Sequence, residues 1–151
     1  MRASAVREPG RRAEGSNAAR PAGRPKARIL AVDDSPDALT ILRLFLTPEG
    51  FEVITAGGVA EALQRVQEQL PDLIITDYAM PDRTGLDLCR HLRSHGRTRH
   101  IPIVLHTGAD LPPTETPLYN ALCAKPANLA QLARRVHSLL AASEGERPSQ
   151  H

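Results

Sequence analysis

The stretch Arg28-Ile29-Leu30-Ala31-Val32-Asp33-Asp34-Ser35-Pro36 runs from a short apolar segment into two adjacent carboxylates, and Asp72-Leu73-Ile74-Ile75-Thr76-Asp77 repeats the arrangement with a third. A parallel sheet would carry all three to one edge. Carboxylates ~4 Å apart at an effective dielectric of ~20 repel by roughly 4 kcal/mol, so such crowding calls for a cation. Magnesium, which prefers hard oxygen ligands, is the expected ion. Phosphate chemistry at that edge would also need a nucleophile, a hydroxyl and a lysine, and Asp77, Thr107 and Lys125 are the candidates.

Working outward, apolar runs alternate with amphipathic stretches, which predicts βα units and a parallel sheet with helices on both faces. The strands are expected at Arg28 to Val32, Phe51 to Thr55, Asp72 to Thr76, Pro102 to His106 and Leu118 to Ala124. Ser35 is expected to cap a first helix with Pro36 at its first position, running to about Thr47 and burying Leu39, Leu42, Phe45 and Leu46. A second helix, roughly Val59 to Gln69, turns Ala62, Leu63 and Val66 inward, and a third starts near Gly85. Asn128 can cap the last, whose apolar face is Leu129, Leu132, Val136, Leu139 and Leu140. The segment from Gly108 to Pro117 carries three prolines, so a fourth helix there is expected to be short or missing.

The length of 151 residues suits one domain, and 41% hydrophobic content with 3% aromatics requires an aliphatic core. No run approaches the ~20 apolar residues of a membrane span, and the arginine-bearing N-terminus lacks the apolar block of a secretory signal, so a cytoplasmic location is expected. Cys89 and Cys123 fit no paired metal spacing and read as buried free thiols. Residues 1–28 carry eight Arg or Lys against two Glu, leaving 11 basic and 15 acidic groups beyond. Residues 1–26, nearly devoid of apolar side chains, are expected to be a disordered basic tail, and 143–151 a disordered polar one. Nucleic-acid binding by the basic tail is not favoured, because such tails are most often solvated extensions.

Ligands of open α/β sheets bind beyond the carboxyl ends of the strands, where Asp33, Asp34, Asp77, Thr107 and Lys125 would all fall. Four pieces in this order, Val32-Asp33-Asp34-Ser35-Pro36, Thr76-Asp77-Tyr78-Ala79-Met80-Pro81 with Gly85, Thr107-Gly108 and Lys125-Pro126, resemble a response-regulator receiver domain over residues 27–142. The resemblance implies a doubly wound, flavodoxin-like sheet of five parallel strands in the order 2-1-3-4-5. It implies that Asp77 is the phosphoacceptor and that Asp34 holds Mg2+ directly, Asp33 largely through water and Ala79 by its backbone carbonyl. Thr107 and Lys125 would bind phosphoryl oxygens, with Lys125 pairing first with Asp77. Pro126, after a bond that is typically cis in the family, would aim the lysine.

The function so implied is that of a phosphoacceptor in a two-component phosphorelay. It would be charged by a histidine kinase or a histidine phosphotransfer protein and would signal by protein–protein contact rather than as an enzyme. Only nine polar residues follow Ala142, so a stand-alone receiver without an output domain is expected. Taken singly, Asp33 could cap a helix, Asp77 could serve a turn and Lys125 could form a structural ion pair. Ala79 and Ala109, two residues beyond Asp77 and Thr107, offer no side chain to orient a hydrolytic water.

Two departures bear on signalling, the short or missing fourth helix of the proline-bearing segment and the residue at the switch position. Activated receivers commonly bury an aromatic residue three positions before the lysine, where this chain has Leu122, and Tyr119 lies an odd number of positions away. These features leave a receiver-shaped interaction module acting without phosphate as the alternative. An aspartyl phosphohydrolase of the haloacid-dehalogenase type would want an acid two residues after the nucleophile, where Ala79 stands. His106, beside Thr107, reads as a partly exposed strand-end histidine, and His95 to His100 as a solvated turn.

Overall fold

Five parallel strands, β1 (Ala27–Val32), β2 (Phe51–Ala56), β3 (Leu73–Thr76), β4 (Ile103–Thr107) and β5 (Ala121–Ala124), form one sheet in the order β2-β1-β3-β4-β5. The computed structural model describes residues 26–108, 111, 117–125 and 128–146. Four α-helices are present among them: α1 (Pro36–Leu46), α2 (Val59–Glu68), α3 (Gly85–Arg93) and α4 (Leu129–Glu146), with a 3-10 turn at Thr47–Glu49. The doubly wound order matches the expectation. Much of the proline-bearing connection between β4 and β5, 109–110 and 112–116, lies outside the described residues, as do 1–25, 126–127 and 147–151.

The core follows from strand alternation. Ile29 and Ala31 face a cluster with Leu42 and Leu46 of α1 and Leu132, Val136 and Leu140 of α4. Leu30 and Val32 point the other way, onto Ala62 and Val66 of α2 and Leu88, Cys89 and Leu92 of α3. Each fully buried aliphatic side chain contributes about 1.5–3 kcal/mol relative to exposure. The apolar runs therefore lack the polar alternation of a half-exposed strand, as central strands covered on both faces must.

Helix starts are explicit. The Ser35 hydroxyl accepts from Ala38 N and Pro36 occupies the first turn. Thr84 and Asp87 form a capping box on α3, and the Asn128 side chain accepts from Gln131 N at 3.0 Å. Gly50, at φ 99°, lets the chain leave the 3-10 turn in the left-handed region and enter β2.

Several boundaries move. β5 begins at Ala121 rather than Leu118, so period-two alternation does not reach Tyr119, which packs instead against the α2/α3 cluster. α4 continues to Glu146, past Ala142. Cys89 is buried, but Cys123 is only half-buried, because β5 is an edge strand. His106 is buried at 7% exposure, not partly exposed, since β4 lies between β3 and β5 and its end is still covered.

Candidate functional site

The site is assembled by the ladder running to the very ends of the strands. Asp33 N donates to Ala56 O at 3.1 Å, Asp77 N to Val32 O at 2.9 Å and Lys125 N to Thr107 O at 3.1 Å. Residues following β1, β3 and β5 are thereby held at adjacent-strand spacing, ~4.8 Å per step. One carboxylate oxygen each from Asp33, Asp34 and Asp77 lie within 4.8 Å of one another.

Local contacts aim these groups. Asp33, 2% exposed, accepts from Ser35 N at 3.0 Å with Oδ1, which turns Oδ2 toward Lys125. Asp77 Oδ1 accepts from Tyr78 N at 2.6 Å, leaving its Oδ2 to the same lysine. Lys125 Nζ sits 2.7 Å from Asp33 Oδ2 and 3.1 Å from Asp77 Oδ2. Burial alone would lower the ammonium's pKa, but the hydrogen bonds and charges of Asp33 and Asp77 outweigh it and hold it above the ordinary lysine value. Asp34 is exposed and Thr107 is buried at the tip of β4, with its carbonyl joined to Lys125.

Oxygens on one Mg2+ at ~2.0–2.1 Å lie at most ~4.2 Å apart. The three carboxylates, each with an oxygen within 4.8 Å of the others, are near enough to share one ion directly or through water, and all offer hard donors, so they fit a magnesium ion. Lys125 already supplies one positive charge to the cluster.

The loop after β3 is shaped by close backbone approach. Gly85 N donates to Tyr78 O at 2.8 Å, closing the turn that contains Ala79. A Cβ at Gly85 would stand 2.2 Å from the Asp77 carbonyl oxygen. Pro126 and Ala109, singled out from sequence, lie outside the described residues. Leu122 is 49% exposed on β5, paired with Leu105 of β4.

Three features escaped sequence reasoning. α2 has no side-chain cap of its own at Gly58, and Asp82, from the loop after β3, accepts from Val59 N at 3.2 Å and Ala60 N at 3.0 Å. The bond from Ala60 is the leading cause that holds the Asp82 carboxyl below its usual range. Arg93 donates to Leu118 O, Arg99 O, Ile101 O and Asn120 Oδ1 at 2.7–3.0 Å, anchoring the segment before β5. Among the described residues His106 Nε2 is buried without a hydrogen-bond partner. Burial first, and then the nearby Lys125 charge, push its pKa down against the opposing pull of Asp33 and Asp77. A capless helix start at Gly57-Gly58 was the one available signal for the first; nothing local signals the other two.

The family pattern described as response regulator receiver domain matches residues 29–136, and the chain belongs to that family. It is 44% identical over 84 residues to the response regulator PleD of Caulobacter vibrioides, covering 56% of this chain and 18% of PleD. It is 42% identical over 80 residues to the phosphate regulon transcriptional regulatory protein PhoB of Rhizobium meliloti, covering 53% of this chain and 35% of PhoB. The chain thus spans well under half the length of these relatives. The crystal structure of the Thermotoga maritima response regulator TrrA in complex with Mg2+-BeF superposes with a TM-score of 0.68 at 30% identity, covering 75% of this chain and 98% of that one. No helix among the described residues is long and apolar enough to cross a membrane.

Proposed function

We propose that this receiver accepts a phosphoryl group on Asp77 from a histidine kinase or a histidine phosphotransfer protein and then signals through a protein partner. The observation that carries the reading is the Lys125 ammonium bridging Asp77 to Asp33 inside a cluster of three carboxylates. A structural ion pair would need one acid, not three crowded together. In the transfer, an Asp77 carboxylate oxygen attacks phosphorus in line, the P–N bond of the phosphohistidine breaks, and its electron pair returns to the imidazole nitrogen. Lys125 releases Asp77 to the new acyl phosphate and donates to a phosphoryl oxygen, while the Thr107 hydroxyl donates to another.

Asp34, Asp33 through water, Asp77 and the Ala79 carbonyl would hold Mg2+, and the bound ion would neutralise charge on the phosphoryl oxygens. The TrrA complex with Mg2+-BeF supports this assignment by likeness. The domain, expected over residues 27–142, is read as extending to Glu146 with the end of α4. Phosphotransfer and hydrolysis are self-catalysed at one site, so the chain works as a signalling module rather than an enzyme.

One observation favours the second reading, an interaction module independent of phosphate: Leu122 is already exposed where an aromatic switch would move. Incubation with acetyl phosphate and Mg2+ followed by intact mass measurement separates the two. A phosphoryl adduct absent in Asp77→Asn supports phosphoacceptance, and no adduct on the wild type overturns it.

A further inference from the structure

We propose that the free edge of β5 binds an extended segment of a partner protein whose residues alternate apolar and acidic, added to the sheet as a sixth strand. The surface lies apart from the carboxylate site, and its use does not depend on phosphoacceptance. Strand addition of this kind draws affinity from main-chain hydrogen bonds and specificity from the alternating side chains.

The two edges of the sheet are finished differently. At β2, Asp33 N donates to Ala56 O, so Glu52, Ile54 and Ala56 face β1 while Val53 and Thr55 turn their carbonyls outward. Arg43 Nη1 of α1 donates to Val53 O at 3.3 Å and Arg65 Nε of α2 to Thr55 O at 3.2 Å, so two guanidinium groups occupy that edge. At β5, Lys125 N donates to Thr107 O, and Thr107 lies opposite Ala124, which sets Ala121, Cys123 and Lys125 toward β4. Leu122 and Ala124, both exposed, therefore present their N–H and C=O groups outward, and among the described residues these groups have no partner. Native edges are commonly guarded by charge or proline. Leu122, Cys123 and Ala124 bring neither, and Lys125, which follows, is committed to Asp33 and Asp77.

The faces that flank this edge define the partner. Cys123 packs on the cluster beneath α1 and α4, so alternation sends Leu122 to the opposite face, where it is 49% exposed. On the α4 side stands Arg135, exposed and without an ion pair among the described residues. It is close enough that its charge opposes the rise that burial imposes on the pKa of the Cys123 thiol. A strand laid along β5 thus meets an apolar side chain on one face and an unpaired cation on the other. Apolar and acidic residues in period-two alternation answer both. A second copy of β5 answers only the first, because a twofold axis through this edge sets Arg135 against its own image.

The test is a nuclear magnetic resonance titration of the full, unphosphorylated chain at low ionic strength with a hexapeptide of alternating valine and glutamate, blocked at both ends, and with its lysine analogue. The glutamate peptide should slow amide exchange at Leu122 and Ala124 and bind roughly 2–5-fold tighter than the lysine peptide, the ratio that one exposed ion pair supplies. Arg135→Glu should reverse that order. Leu122→Pro removes one outward N–H and spares the ladder to β4, so it should abolish binding at an unchanged melting temperature. A glutamate peptide N-methylated along its pairing edge should fail on the wild type, which keeps the test decisive if the proline variant does not fold. No slowing at either amide at about 5 mM peptide, enough to populate a millimolar complex, overturns the proposal, as does equal binding of the N-methylated peptide. A chain that sediments as a dimer dissociated by Leu122→Pro assigns the edge to a second copy and overturns it too. With no phosphodonor present, failure of phosphoacceptance at Asp77 would leave all of these readouts unmoved.

Discussion

Gly85, the first residue of α3, approaches Asp77 so closely that a methyl group on its Cα would stand 2.2 Å from the Asp77 carbonyl oxygen. The obstacle is backbone, which no side-chain rotation can relieve. Gly85→Ala should therefore destabilise the domain at the upper end of the ~1–3 kcal/mol typical of overpacking. Urea unfolding measures this, and a loss below about 0.5 kcal/mol, the range of surface substitutions, would contradict the close approach.

Removing the cation from the carboxylate cluster should also be costly. Lys125→Met keeps the stem but leaves Asp33 and Asp77 without their shared donor, and hydrogen bonds to charged groups are worth about 1.5–3 kcal/mol. Mg2+ should recover more stability in this variant than in the wild type. Because the folded pKa of Lys125 is raised, its contribution is fully present below the ordinary value of 10.5 and is lost as pH rises through the folded value. Denaturation followed between about pH 9 and 12 should show a shallower alkaline loss in Lys125→Met.

The buried imidazole of His106 has the opposite linkage. Its folded pKa is depressed below 6.5, so the unfolded chain binds more protons there; stability is present above 6.5 and falls as pH drops through the folded value. His106→Leu removes both this acid loss and a buried nitrogen that has no partner among the described residues, a penalty of about 1–3 kcal/mol. The variant should be more stable at neutral pH and flatter in the acid limb. A less stable His106→Leu would show that the imidazole makes a contact worth more than its desolvation costs.

Asp82 should matter to α2, although it belongs to a different element. Asp82→Ala removes the acceptors for Val59 N and Ala60 N, and a lost N-cap costs about 1 kcal/mol. Amide exchange should accelerate first at those two residues. Uniform acceleration across α2 and α3 would point instead to global loosening.

Arg93 tests geometry rather than charge. Lysine cannot reproduce a guanidinium that reaches Leu118 O, Ile101 O and Asn120 Oδ1 together. Arg93→Lys should cost about 1–3 kcal/mol and raise the mobility of residues 117–120, read by amide exchange. An unchanged variant would assign those carbonyls to water.

The apolar runs before Asp33 and Asp77, the caps at Ser35 and Asn128 and the inward faces of α1 and α2 were legible because each depends on neighbours within a turn or a strand period. The acidic trio was legible for the same reason: each carboxylate follows an apolar run, and a parallel sheet sends such positions to one edge. Strand five was read three residues too long because Leu118 and Tyr119 are apolar, yet they pack on the α2/α3 cluster before the ladder to β4 begins.

Local chemistry in the chain thus settled the fold, the strand ends and the identity of the groups gathered there, since side-chain period and capping act over a few residues. Long-range packing alone settled that one ammonium serves both Asp33 and Asp77, that Asp82 completes a helix 22 residues earlier, and that His106 is enclosed. Those relationships join residues distant in sequence, and their energies exist only once the sheet has closed the distance and excluded the water.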